Sequence, residues 1–115
     1  MRFVVLMHGD EAVWRDASTQ ERAAIIDQHT AFAAQAPQRG CTLVGGEALT
    51  DVAVATMVRR HGDHLEVTEG PLAESVEQLG GFYVLEAPDV DAVTEALREL
   101  PEHYAFEIRP VLDLD

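Results

Sequence analysis

Two amphipathic helical stretches, each set between short β-rich runs, restrict this chain more than any other feature. The first run, Arg2–His8, is apolar and β-branched from Phe3 to Met7 and stops at Gly9. Apolar residues on both of its faces predict an interior strand. A loop containing Trp14 follows. Ser18 then opens a helix, and Glu21 three residues on completes a capping box. Ile25, Ile26, Phe32, Ala33 and Ala36 recur at helical spacing, and Pro37 and Gly40 close the element. Cys41–Val44 reads as a second strand stopped by Gly45-Gly46. Val54–Arg60 and His64–Thr68 read as a hairpin with Gly62-Asp63 at its turn. Glu69-Gly70-Pro71 is a further turn, and Gly80-Gly81 introduces the strand Phe82–Glu86. Asp89 caps a second helix with apolar positions Val90, Val93, Leu97 and Leu100, ended by Pro101. Phe106–Leu112 is the last strand. Pro110 cannot donate to a ladder, so this strand belongs at an edge.

The order is strand, helix, strand, hairpin, strand, helix, strand, all within 115 residues. That is a split βαβ plan: an α+β, ferredoxin-like sandwich with an inserted β-hairpin, forming one domain over residues 1–115. Two helices cover one face of such a sheet. The aliphatic residues on the other face predict a homodimer packed sheet to sheet, a dimeric α+β barrel, with a cleft on the dimer-side sheet face.

Charge narrows the function. Lys and Arg number 8 against 21 Asp and Glu, a formal net charge of −13. Every basic residue is arginine, which excludes a Schiff-base or phosphate-loop lysine. Such a surface repels phosphate backbones, so a nucleic-acid partner is not expected. The lone Cys41 can form neither an internal disulfide nor a cysteine metal cage, and its apolar setting predicts a buried small hydrophobe. The first apolar run is too short for a signal-peptide core, and no run reaches membrane-spanning length. A cytoplasmic location and no membrane partner are the corresponding expectations. No cofactor motif is present, and no metal site is expected: His61, Asp63 and His64 read as a solvated hairpin tip.

Several residues carry candidate chemistry. His29 shares the stripe of Ile25 and Phe32, and its imidazole suits proton transfer near neutrality, provided another group orients it. Glu69 and Glu74 flank a proline-fixed turn and supply carboxylates for acid–base or binding work; Glu102 is a further candidate partner. The expected catalytic set is therefore His29, Glu69 and Glu74. His8, Tyr83 and Arg109 are candidate ligand-binding residues, with Tyr83 placed on the dimer side of the sheet. Each also has a structural role available to it: core packing for His29, amide capping for the glutamates, an ion pair for Arg109. Ser75 lacks a nucleophile-elbow motif.

The segment Glu69-Gly70-Pro71-Leu72-Ala73-Glu74-Ser75-Val76-Glu77-Gln78-Leu79-Gly80-Gly81-Phe82-Tyr83 resembles the DGPFAETKEQLGGFY block of the DGPF-domain proteins, a branch of the YCII-related group. Gly9-Asp10-Glu11, Gly45-Gly46-Glu47-Ala48-Leu49 and Glu107-Ile108-Arg109-Pro110-Val111 resemble the same family, so the likeness spans the chain. The resemblance implies a dimeric, ferredoxin-like α+β fold. It also implies a helix histidine paired with an aspartate near the last strand. Gln28-His29 is similar to that histidine's setting, but the Asp-Pro pair expected after the second helix reads Leu100-Pro101 here. Glu69 and Leu72 stand where the family block has aspartate and phenylalanine.

Two classes of function follow. One is a small-molecule enzyme or binder that works by His/Glu proton transfer without a bound cofactor. The other is a non-catalytic dimeric module for regulation or protein interaction.

Overall fold

The computed structural model describes residues 1–114. Strand β1 (Arg2–Asp10) is followed by a single helical turn, α1 (Ala12–Arg15), and the long helix α2 (Thr19–Gln35). Then come β2 (Thr42–Ala48), the hairpin β3 (Thr56–His61) and β4 (His64–Glu69), β5 (Glu77–Glu86), α3 (Val90–Ala96) and β6 (Ala105–Pro110). Four strands form one antiparallel sheet in the order β2-β5-β1-β6. This is the ferredoxin-like order. It puts β1 inside and β6, with Pro110, at an edge, as the residue pattern requires.

Local chemistry explains the helix boundaries. The Ser18 hydroxyl accepts the Glu21 backbone N–H, and the Glu21 carboxylate accepts the Ser18 N–H. The chain leaves α2 through a short 3-10 turn and Gly40 at φ 78°, a conformation only glycine adopts without strain. Asp89 caps α3 by accepting the Ala92 N–H. Helix α3 is shorter than its apolar pattern suggests, because Leu97–Glu99 tightens into a 3-10 turn before Pro101.

The double glycines do not end strands; both lie inside them. A Cβ on Gly46 would fall 2.5 Å from the Phe82 carbonyl oxygen, and one on Gly81 would fall 2.9 Å from that of Glu47. Here β2 and β5 approach too closely for any side chain, so glycine permits the pairing. As a result β2 runs on to Ala48 and β5 begins at Glu77.

Phe3, Val5 and Met7 of β1 and Leu85 of β5 point to one face. They pack against Phe32 and Ala36 at the end of α2, Cys41, and Val93, Ala96, Leu97 and Leu100. The opposite face carries Val4, Leu6, Leu79, Phe82 and Val84 beneath no helix. The protein is accordingly a slab, 49 × 46 × 18 Å, with a radius of gyration of 16.2 Å. A globule of this length would reach about 13 Å. The hairpin adds to the spread, with Val58, Leu65 and Val67 all more than half exposed on one of its faces.

Candidate functional site

The buried stripe of α2 is narrow. Phe32 and Ala36 are fully covered, Ile25 and His29 are half-buried, and Ile26 is 54% exposed. The N-terminal part of the helix therefore overhangs a cleft of about 910 Å³. Ile25, Ile26 and His29 form its roof, Met7, Tyr83 and Tyr104 part of its floor, and Trp14 of α1 one end. That volume lies in the range of small-molecule sites.

At its centre the His29 Nδ1 lies 2.6 Å from the Tyr83 hydroxyl. The Tyr83 ring packs on Phe32, centroids 4.7 Å apart, which fixes the hydroxyl beneath the helix. Tyr104 meets His29 edge-on at 6.0 Å, and His103 lies 4.1 Å from Tyr104. Gly9 is the residue that lets Tyr104 in: a Cβ there would come within 3.1 Å of its ring.

Burial lowers the His29 pKa, and the charge of His103 lowers it further. Burial also lowers His103. Burial raises Tyr83, with Tyr104 adding to the effect, and burial raises Tyr104. All four groups are thus held uncharged at neutral pH. In a neutral ring bonded through Nδ1, the phenol either donates to that nitrogen or accepts from it. The other nitrogen, Nε2, then respectively donates or accepts.

Charged residues ring the cleft but mostly build its scaffold. Asp10 accepts the Ala12 N–H, and Glu11 accepts the Val52 N–H at 2.9 Å, tying α1 to the turn after β2. Arg22 donates to the Trp14 and Arg15 carbonyls, at 3.0 Å each, and its guanidinium lies 4.8 Å over the Trp14 ring. Arg15 sits 3.9 Å from Asp51.

The sequence-predicted residues divide between the two faces of the sheet. His29 and Tyr83 meet under α2. Tyr83 is on the helix face and not, as the sequence suggested, on the opposite face of the sheet, because it follows Gly81 and precedes Leu85 in the alternation that packs on Phe32. The His29 cleft correspondingly lies between helix and sheet and not on the open sheet face. His8 and Arg109 do stand on the open face; His8 pairs with Glu107 at 3.1 Å, and Arg109 lies opposite Val4. Glu69 ends β4 and Glu74 follows in the next loop, both exposed and outside the cleft lining. Among the described residues, no carboxylate hydrogen-bonds His29. His61 and His64 stack at the hairpin tip, and no group of three or more potential ligands for a metal occurs among the described residues.

His103 and Tyr104 were not singled out by sequence. Their signal was an imidazole and a phenol placed between a helix-ending proline and an edge strand, where a short turn returns the chain to the sheet. No helix of the described residues is long and apolar enough to cross a membrane.

Fold and site together define a ferredoxin-like α+β protein with a histidine–tyrosine cleft beneath its first long helix. The YCII-related domain model matches residues 1–115, and the chain belongs to that family. It is also 28% identical to an uncharacterised protein of Rhizobium meliloti (strain 1021), over 96% of this chain and 92% of that protein.

Proposed function

We propose that this protein binds and transforms a small organic molecule in the cleft under α2, with His29 as the proton-transfer group. The observation that carries this reading is the His29–Tyr83 bond: a half-buried imidazole, held neutral and fixed through Nδ1, in a cavity of ligand size. A neutral imidazole is ready to accept a proton, and a tyrosine partner orients it without lending it negative charge. The ligand is an uncharged, ring-sized compound. The central side chains are uncharged, both cleft arginines are engaged by carbonyls or by Asp51, and the net charge of −13 opposes anions. Glu69 and Glu74, outside the cleft lining, take no part in this proton transfer, and a second copy of the chain packs on the open sheet face. Burial of the aliphatic open face by that copy, as a homodimer, is part of the proposal.

Benzamide, benzoate and benzamidine test it, since they share a ring and differ in charge. Benzamide is expected to shift the NMR signals of the Trp14 indole N–H and the His29 ring at millimolar concentration, and benzoate is not. Trp14 is the one tryptophan, so its signal needs no assignment. Failure of all three to move either signal, or preferential binding of benzoate, overturns the reading. The exposed Val58, Leu65 and Val67 of the hairpin favour the second reading, a protein-interaction module. It predicts that truncating those three side chains abolishes association and leaves the cleft signals unmoved.

A further inference from the structure

We propose that His103 is a second proton-handling group in the same cleft, paired with His29 across its walls. This deepens the reading of His29 as the working group and depends on it. The two imidazoles arrive on different elements, His29 from α2 and His103 from the turn that leads into β6. Tyr104 joins them spatially, lying 4.1 Å from one ring and 6.0 Å from the other, centroid to centroid. Both line the same cavity, and His103 also packs beside Gly9, its Cδ2 3.5 Å from where a Cβ would stand. Tyr83 of β5 and Tyr104 complete the inner groups, and the charged rim consists of Asp10, Glu11, Arg15, Arg22, Glu47 and Asp51.

Two imidazolium ions in one half-buried cleft repel, so the pair takes up its two protons in separate steps, the second at lower pH than the first. In the singly protonated pair, which forms as the pH falls below neutrality, one ring is an acid and the other a base. A bound molecule can then lose a proton from carbon or oxygen to the neutral ring and gain one at a different atom from the charged ring. Its composition is unchanged, its double bond has moved, and the proton returns between the rings through water. The reaction class this serves is isomerisation by proton shift. Neither ring needs a carboxylate partner for it, and among the described residues His29 bonds the Tyr83 hydroxyl and no carboxylate.

The experiment is an NMR pH titration of the histidine rings in the full chain, in wild type, His103→Gln and His29→Gln. Removing either ring is expected to shift the midpoint of the other upward, and Tyr104→Phe is expected to leave both midpoints coupled. A midpoint unmoved by loss of the other ring overturns the pair, as does a His103 that does not titrate while the protein is folded. Should a glutamine variant unfold, Tyr104→Phe and the two-step titration of the wild type carry the decision: independent one-step curves refute the proposal. The outcomes separate from those of the proposed function. If benzamide moves Trp14 and His29 but the midpoints are uncoupled, the pair alone falls. If the midpoints are coupled and no probe binds, the ligand reading falls and the pair stands.

Discussion

Replacing Gly46 by alanine tests the link between strand pairing and the cleft. The new methyl carbon would lie 2.5 Å from the Phe82 carbonyl oxygen, 2.6 Å from the Tyr83 Cδ1 and 3.1 Å from the Tyr83 Cα. Two of these atoms are backbone, so the clash is relieved only by moving β2 away from β5 or by swinging the Tyr83 ring. Overpacking of this kind costs roughly 1–3 kcal/mol. In a domain of this length each kcal/mol lowers Tm by about 4 °C, so thermal unfolding followed by circular dichroism is expected to show a loss of roughly 4–12 °C. Gly45 is the internal control. A Cβ there meets nothing within 4 Å, so Gly45→Ala is expected to stay within about 1 kcal/mol of wild type. Because Tyr83 holds His29, Gly46→Ala is also expected to move the His29 ring signals, and Gly45→Ala is not. Equal stability of the two variants, or a larger loss at Gly45, would refute the close-approach argument.

Acidification is expected to destabilise the fold. The folded-state pKa values of His29 and His103 are depressed, so as pH falls through about 6.5 the unfolded chain takes up protons first. Stability is fully present above that value and declines toward the lower folded-state midpoints; denaturant unfolding at several pH values is expected to show a smaller decline for His29→Gln. Ser18→Ala removes the side-chain half of the α2 capping box and is expected to cost about 1 kcal/mol in the same assay. Burial pushes the Cys41 thiol pKa up, with Asp89 adding to it, so a thiol reagent is expected to label it only under unfolding conditions.

The elements that residue pattern could place are those with local causes. The Ser18–Glu21 box, the Asp89 cap, Gly62 at its turn and Pro110 on an edge each act within a few positions of themselves, and each is where the sequence puts it. Gly45-Gly46 and Gly80-Gly81 misled because a glycine pair reads as a break, whereas its cause here is a neighbouring strand far along the chain. The site was half legible for the same reason. His29 stood out by its place on the helix stripe, but its partner Tyr83 is 54 residues away, and only the sheet register decides which face that tyrosine takes. The choice of glutamates as orienting groups followed from their rigid turn. The fold carries that turn outside the lining of the cleft and brings two tyrosines and a second histidine to the imidazole instead.

The most direct test of the account is the protonation of His29 itself, followed by NMR through a pH titration of the wild type and of Glu69→Gln and Glu74→Gln. The His29 ring is expected to be neutral at pH 7, to titrate below its ordinary value while the protein stays folded, and to keep its midpoint when either glutamate is neutralised. A His29 that fails to titrate in the folded protein, or whose midpoint lies at or above the ordinary value and falls when Glu69 or Glu74 is neutralised, would contradict this expectation.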